Sequence, residues 1–282
     1  MMKIGTLSDI HFDRHQQLRM EDYIEALAQL TRQKALDMLI IAGDISNHHS
    51  TTLRFIAQLT DKVECSVYFI PGNHDIWRQA DETITSEEIL ALYTAHPQCL
   101  INQPLELGQY VIVGHMGWYD YRYASDKYTL EKLEKGKHYG ATWQDKVHTN
   151  FEQSDQMLSK RFAESVFHQL EPYQHHKVIL VTHVVTHPKF VVPLPHRIFD
   201  FFNGFIGTQD FDCIYENYDV AYSVMGHVHF RKRYTENGTT YLCPCLGYPR
   251  EWRGGDLYTE LKDALQMIEL PDSDNQHDSK HV

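Results

Sequence analysis

Residues 66–75 read SVYFIPGNHD. The first six have the look of a short buried strand, with β-branched and aromatic side chains and no charge. The last four are a glycine followed by an amide, an imidazole and a carboxylate. An apolar run that breaks off into metal-binding chemistry is the pattern that decides the fold, and it recurs. Residues 3–11 (KIGTLSDIH) end in Asp9 and His11, and 37–44 (DMLIIAGD) end in Asp44. Residues 178–183 (VILVTH) end in His183, and 219–229 (DVAYSVMGHVH) end in His227 and His229.

Working outward, the candidate strands are 3–8, 37–42, 66–71, 110–114, 178–182, 219–225 and 239–243. Between them, Met20, Tyr23, Ile24, Leu27 and Leu30 mark one helical stripe. Leu158, Phe162, Val166 and Leu170 mark another, and Ser86 precedes a third over Glu87–Tyr93. Strand–helix alternation in the first hundred residues argues for an α/β protein with a parallel or mixed sheet covered by helices. Adjacent strands later in the chain call for a second sheet. Ligands in such folds gather where the carboxyl ends of the strands emerge, so the five loops should converge.

The converging set holds two carboxylates (Asp9, Asp44), one amide oxygen (Asn73) and four imidazoles (His11, His183, His227, His229), with no thiolate. Such donors suit Mn²⁺, Fe²⁺ or Zn²⁺ and disfavour Ca²⁺. Seven donors exceed what one transition metal takes. They match two ions about 3.5–4 Å apart that share a carboxylate and a water. Each piece alone is common; GNHD and GHxH are more specific, and the five in this order are more specific still.

The series DxH, GD, GNHD, a lone His after a strand, and GHxH resembles the calcineurin-like metallophosphoesterase superfamily over residues 9–229. The resemblance implies a four-layer α-β-β-α sandwich of two mixed sheets flanked by helices, and an enzyme that hydrolyses phosphoric esters. It implies that Asp9, His11 and His229 hold one ion, Asn73, His183 and His227 a second, and that Asp44 bridges them, the ions being Mn²⁺, Fe²⁺/Fe³⁺ or Zn²⁺. By the same resemblance His74 takes part in the chemistry, oriented by Asp75. The protein phosphatases of the superfamily carry an arginine soon after GD and read GNHE. Here the stretches read GDISNH and GNHD, which turns the expectation towards phosphodiesters and small phosphomonoesters, with Asn47 as a tolerated change.

Other residues stay open between two roles. His48 and His49 either line the pocket or start the next helix. Arg250, in GYPREW, either meets a substrate phosphate or is an ordinary surface arginine. His187 is a second choice to His183, and His115 is read as structural. Residues 117–175 are expected to form an aromatic-rich helical insertion within one domain spanning 1–270. Most of its aromatics should pack helices onto the core, with one or two free to stack on a substrate.

At 282 residues, 42% of them apolar, the chain is near the upper limit for one core. Its formal charge of −12 repels phosphate backbones, so stable duplex DNA binding is not expected, although bound cations invert the field locally. The expected partner is therefore a small soluble phosphoester, a nucleotide among the choices, with a nuclease or an inactive scaffold as alternatives. No stretch suits a bilayer span or a signal peptide, and five cysteines without a framework spacing fit reduced thiols, so a cytoplasmic protein is expected. The polar stretch 271–282 is expected to fray.

Overall fold

The structure, a computed structural model, describes residues 1–271; of the expected polar tail, all but Pro271 lies outside them. The chain begins β1 (Met2–Leu7), α1 (Met20–Lys34), β2 (Met38–Ala42), α2 (His49–Lys62), β3 (Ser66–Ile70) and α3 (Ser86–Thr94). It continues β4 (Leu105–Leu107), β5 (Tyr110–His115), α4 (Leu130–Glu134), β6 (Lys137–His138), β7 (Ala141–Thr142), α5 (Asp145–His148) and α6 (Asp155–Leu170). Then come β8 (Lys177–Thr182), α7 (Phe199–Phe202), α8 (Asp212–Asn217), β9 (Asp219–Val224), β10 (Arg231–Glu236), β11 (Thr239–Pro244), α9 (Leu257–Ala264) and β12 (Gln266–Leu270).

One sheet has the order β12-β1-β2-β3, and the other β10-β11-β9-β8-β5-β4. Both are mixed: β12 runs antiparallel to β1, and β4 and β10 run antiparallel along the edges of the second sheet, while the inner strands are parallel. Leu7 is level with Ile41 and Ile41 with Phe69, so the loops after β1, β2 and β3 emerge side by side. His115 is level with Thr182 and Val181 with Val224, which does the same for the second sheet.

Alternation along the strands sorts the layers. Val111, Val113, Val178 and Leu180 pack with Ala163, Val166 and Leu170 of α6 and Ile214 of α8. The intervening Ile112, Ile179 and Val181 join the larger core with Ile4, Leu7 and Ile40 of the first sheet. Strand β2 is buried throughout, as a strand covered on both faces must be. Helices α1 and α2 pack against each other and α2 against the neighbouring β3, α1 burying Met20, Tyr23, Ile24, Leu27 and Leu30. Each fully buried Leu or Ile is worth about 1.5–3 kcal/mol. The result is helices, sheet, sheet, helices.

Two sequence expectations change in detail. Helix α3 is capped by Thr85, whose hydroxyl accepts from the Glu88 N–H, so Ser86 is its first residue. Within 117–175 only α6 is long, and it belongs to the outer helical layer; the stretch before it carries the short α4, α5, β6 and β7. The aromatics mostly pack as expected: Trp118, Tyr119, Tyr121 and Tyr123 are buried, and Tyr139 is 67% exposed. No described helix is long and apolar enough to cross a membrane, and all five cysteines are unpaired.

Candidate metal centre

The loops after β1, β2, β3, β8 and β9 meet at one end of the two sheets. Five of their residues, Asp9, His11, Asp44, His227 and His229, adopt left-handed backbone conformations, with φ of 54°, 43°, 55°, 71° and 54°. That region is costly for side-chain-bearing residues and concentrates at functional sites. Gly43 shares it, with φ 86°. Gly72 and Gly226 are needed for close approach: a Cβ on Gly72 would collide with Asp44, and one on Gly226 would lie 2.7 Å from Asp9 Oδ2.

The donors form two groups around Asp44. In the first, His229 Nε2 lies 3.4 Å from Asp9 Oδ1 and 3.2 Å from His11 Nε2. His11 Nε2 is in turn 3.5 Å from Asp44 Oδ2. In the second, His183 Nε2 lies 3.3 Å from Asp44 Oδ2, 3.0 Å from Asn73 Oδ1 and 3.3 Å from His227 Nδ1. Asp44 Oδ2 therefore stands between the groups. Its Oδ1 accepts the His74 N–H at 2.9 Å.

Hydrogen bonds on the far side of each ring set the tautomers. His183 Nδ1–H donates to the Ala42 carbonyl (2.8 Å), His227 Nε2–H to the Phe205 carbonyl (3.1 Å) and His229 Nδ1–H to Glu251 Oε2 (2.6 Å). The remaining ring nitrogens face inward, the arrangement metal-binding histidines show. Burial alone would raise the Asp44 carboxyl, but His183 and His74 facing it outweigh that and hold it well below the usual carboxylate range. Burial would lower His183 in turn, but Asp44 outweighs it and brings its pKa up to about 10, so without a cation its inward Nε2 carries a proton that binding must displace. Burial keeps His227 neutral, its pKa brought down to about 3. An ionised carboxylate, inward imidazole nitrogens and an inward amide oxygen fit a pair of divalent cations. The Nδ1 of His11, buried and without a partner, is left over.

His74 sits beside both groups, its ring stacked on Trp77 at 3.7 Å. It is oriented by Asn47, not by Asp75: His74 Nδ1–H donates to Asn47 Oδ1 at 2.6 Å. Asp75 is committed elsewhere. Its carboxylate accepts the N–H groups of Asp44, Ser46 and Gly72 and the Thr52 hydroxyl, all at 2.6–3.1 Å, which ties the β2 and β3 loops together.

His48 and His49 start a helix. His48 caps α2 by accepting the Ser50 N–H and pairs with Glu82 at 2.9 Å, and neither ring lines the cleft. His187 pairs with Glu236 at 3.0 Å, away from the donors. His115 is buried against Phe162. Arg250 sits at the rim with its side chain 78% exposed, its guanidinium over the Tyr248 ring.

Above the donors opens a cleft of about 520 Å³. Asp44, Asn73, His74, His227 and His229 reach its floor. Trp143, Val192, Phe199, Phe202 and Ile206 make an apolar wall, and Arg14, Arg250 and Glu251 edge the mouth. Several residues around the site have no sequence motif: Asn47, Asp145, Glu251, Tyr248, Trp77 and Trp143. Only Tyr248 and Glu251 had a signal available, because they follow β11, another parallel strand that ends at this face.

The sequence is similar to the acyl-carrier-protein phosphodiesterase PptH of Mycobacterium tuberculosis, 24% identical over 252 residues that span 81% of this chain and 74% of that protein. The fold matches the crystal structure of the phosphopantetheinyl hydrolase PptH from Mycobacterium tuberculosis, with a TM-score of 0.72 at 19% identity over 96% of each chain. It also matches the TT1561 protein of Thermus thermophilus, with a TM-score of 0.50 at 12% identity over 95% of this chain and 98% of that one. Residues 2–231 match the family profile of the calcineurin-like phosphoesterases. The chain belongs to the calcineurin-like phosphoesterase family and is a hydrolase of phosphoester bonds.

Proposed function

We propose that the protein is a two-metal phosphodiesterase that removes a phosphopantetheine arm from a carrier protein. The observation that carries this reading is the one-sided cleft. A cation-binding floor adjoins an apolar wall of Trp143, Val192, Phe199, Phe202 and Ile206, which suits a long uncharged arm joined to a phosphodiester. The similarity to the carrier-protein phosphodiesterase supports the same choice. A nucleotide, one of the choices the sequence left open, has no such support.

Asp9, His11 and His229 would hold one ion, Asn73, His183 and His227 the other, with Asp44 between them. When bound, the ions supply an acidified water and neutralise charge on the phosphoryl oxygens; the donor set suits Mn²⁺, Fe²⁺ or Zn²⁺. The chain does the rest. Its apolar wall aligns the arm and excludes water from it. His74, fixed by Asn47, presents Nε2 to the cleft and passes a proton to the departing alkoxide oxygen on the carrier. Burial brings the His74 pKa down to about 4, and the anionic phosphodiester raises it again. Water adds to phosphorus and gives up a proton that restores the one His74 lost, the bond from phosphorus to the carrier oxygen breaks, and the carrier regains its hydroxyl.

The test is intact-mass spectrometry of an arm-bearing carrier protein incubated with Mn²⁺-loaded enzyme. The reading predicts loss of the whole phosphorylated arm. An intact carrier, under conditions where bis(p-nitrophenyl) phosphate is hydrolysed, overturns the substrate and leaves the reaction class standing.

A further inference from the structure

Asp145 opens the short helix α5 and is fully buried. Its Oδ1 accepts from Asn73 Nδ2 at 2.8 Å and from Trp77 Nε1 at 2.7 Å, and its Oδ2 accepts from Trp143 Nε1 at 2.8 Å. An asparagine amide has nearly the same shape in either flip, so its partners decide which end faces a given neighbour. With Nδ2 held by a carboxylate that only accepts, Oδ1 must be the atom facing His183 Nε2, 3.0 Å away. The two indoles held by the same carboxylate pack against rings of the site. Trp77 stacks on His74 at 3.7 Å, and Trp143 lies edge-on to His227 at 5.7 Å.

We propose that Asp145 is the positioning residue of the second cation position: it holds the Asn73 amide with its oxygen inward and couples the Trp143 wall of the cleft to that ligand. The proposal rests on the reading of Asn73 as a ligand. It makes a residue far from any motif, in the segment before α6, set both ion affinity and turnover. A merely structural Asp145, clamping that segment to the core, would change stability and leave ion affinity alone.

Asp145→Ala removes both acceptor oxygens, so Asn73 Nδ2 loses the partner that fixes its flip. Trp143→Phe removes only the Oδ2 partner and leaves the Asn73 contact in place. Zn²⁺ binding to the full chain, followed by calorimetry, is compared for both variants with wild type, alongside thermal unfolding. Wild type is expected to bind two ions, and D145A to keep the first and bind the second about 10–100-fold more weakly, the usual effect of losing a ligand's supporting partner. Excess Mn²⁺ should restore part of D145A turnover, and W143F should hold both ions near wild-type affinity. A folded D145A that binds both ions as wild type does overturns the proposal. A wild type that binds fewer than two ions overturns the metal reading beneath it. Should D145A not fold, the wild type carries the test through the indole N–H signals of Trp77 and Trp143 in NMR. The second Zn²⁺ equivalent must move them, and unmoved signals overturn the proposal.

Discussion

The backbone N–H of His227 lies 3.0 Å from each carboxylate oxygen of Asp9. The first candidate ligand of one sheet thus holds the loop that carries the last candidate ligands of the other. Asp9→Asn would place an amide N–H₂ against this N–H and remove one inward oxygen. We expect it to lose one equivalent of bound metal, measured by elemental analysis, and at least about 10²-fold in kcat/KM, since ligand and loop go together.

His74→Ala should lower kcat by about 10²–10⁴-fold, the usual range for a lost acid or base. Both ions should remain bound, because its Nε2 is 3.9 Å from Asp44 Oδ2 and its N–H contact to Asp44 survives truncation. Near-normal turnover in this variant would remove His74 from the chemistry. Asn47→Ala should act in the same direction with a smaller loss, because the ring stays but its orientation is freed.

Glu251→Gln weakens the partner of His229 Nδ1. A neutral amide supports the ring less well than a carboxylate does, so the first ion should bind about 10–100-fold more weakly. The second ion should be unaffected, which a two-site binding isotherm separates.

How far these residues were legible follows from what each does. Ligands such as Asp44 and His183 stand out because a charged or imidazole side chain interrupts a strand that is otherwise wholly buried. The residues that hold the ligands give no such contrast. Asp145 and Asn47 sit among other polar residues in loops, and only the folded chain brings them to Asn73 and His74. Strands show the same divide. The seven apolar runs all form strands, whereas β10 (RKRYTE) and β12 (QMIEL) sit at sheet edges, where charged and polar residues break up the apolar run. His48 and His49 could not be placed from sequence, because a histidine after GD serves equally as a helix cap.

His115 makes stability depend on pH. Burial, with a smaller push from Arg161, brings its pKa down to about 3, against 6.5 in the unfolded chain. Between these values the unfolded chain binds a proton that the folded protein refuses. The His115 contribution is therefore complete above pH 6.5 and lost as pH falls towards 3, at up to about 1.4 kcal/mol per pH unit. Urea unfolding from pH 7 to pH 4.5 should show a shallower decline for His115→Leu than for wild type. Parallel curves would contradict the assignment.

The central claim is that Asp44 stands between two cations. Anomalous diffraction from crystals soaked in Mn²⁺ tests it most directly. Two peaks about 3.5–4 Å apart are expected, one among Asp9, His11, Asp44 and His229 and one among Asp44, Asn73, His183 and His227. A single peak in a crystal of enzyme that still hydrolyses a phosphodiester would contradict it.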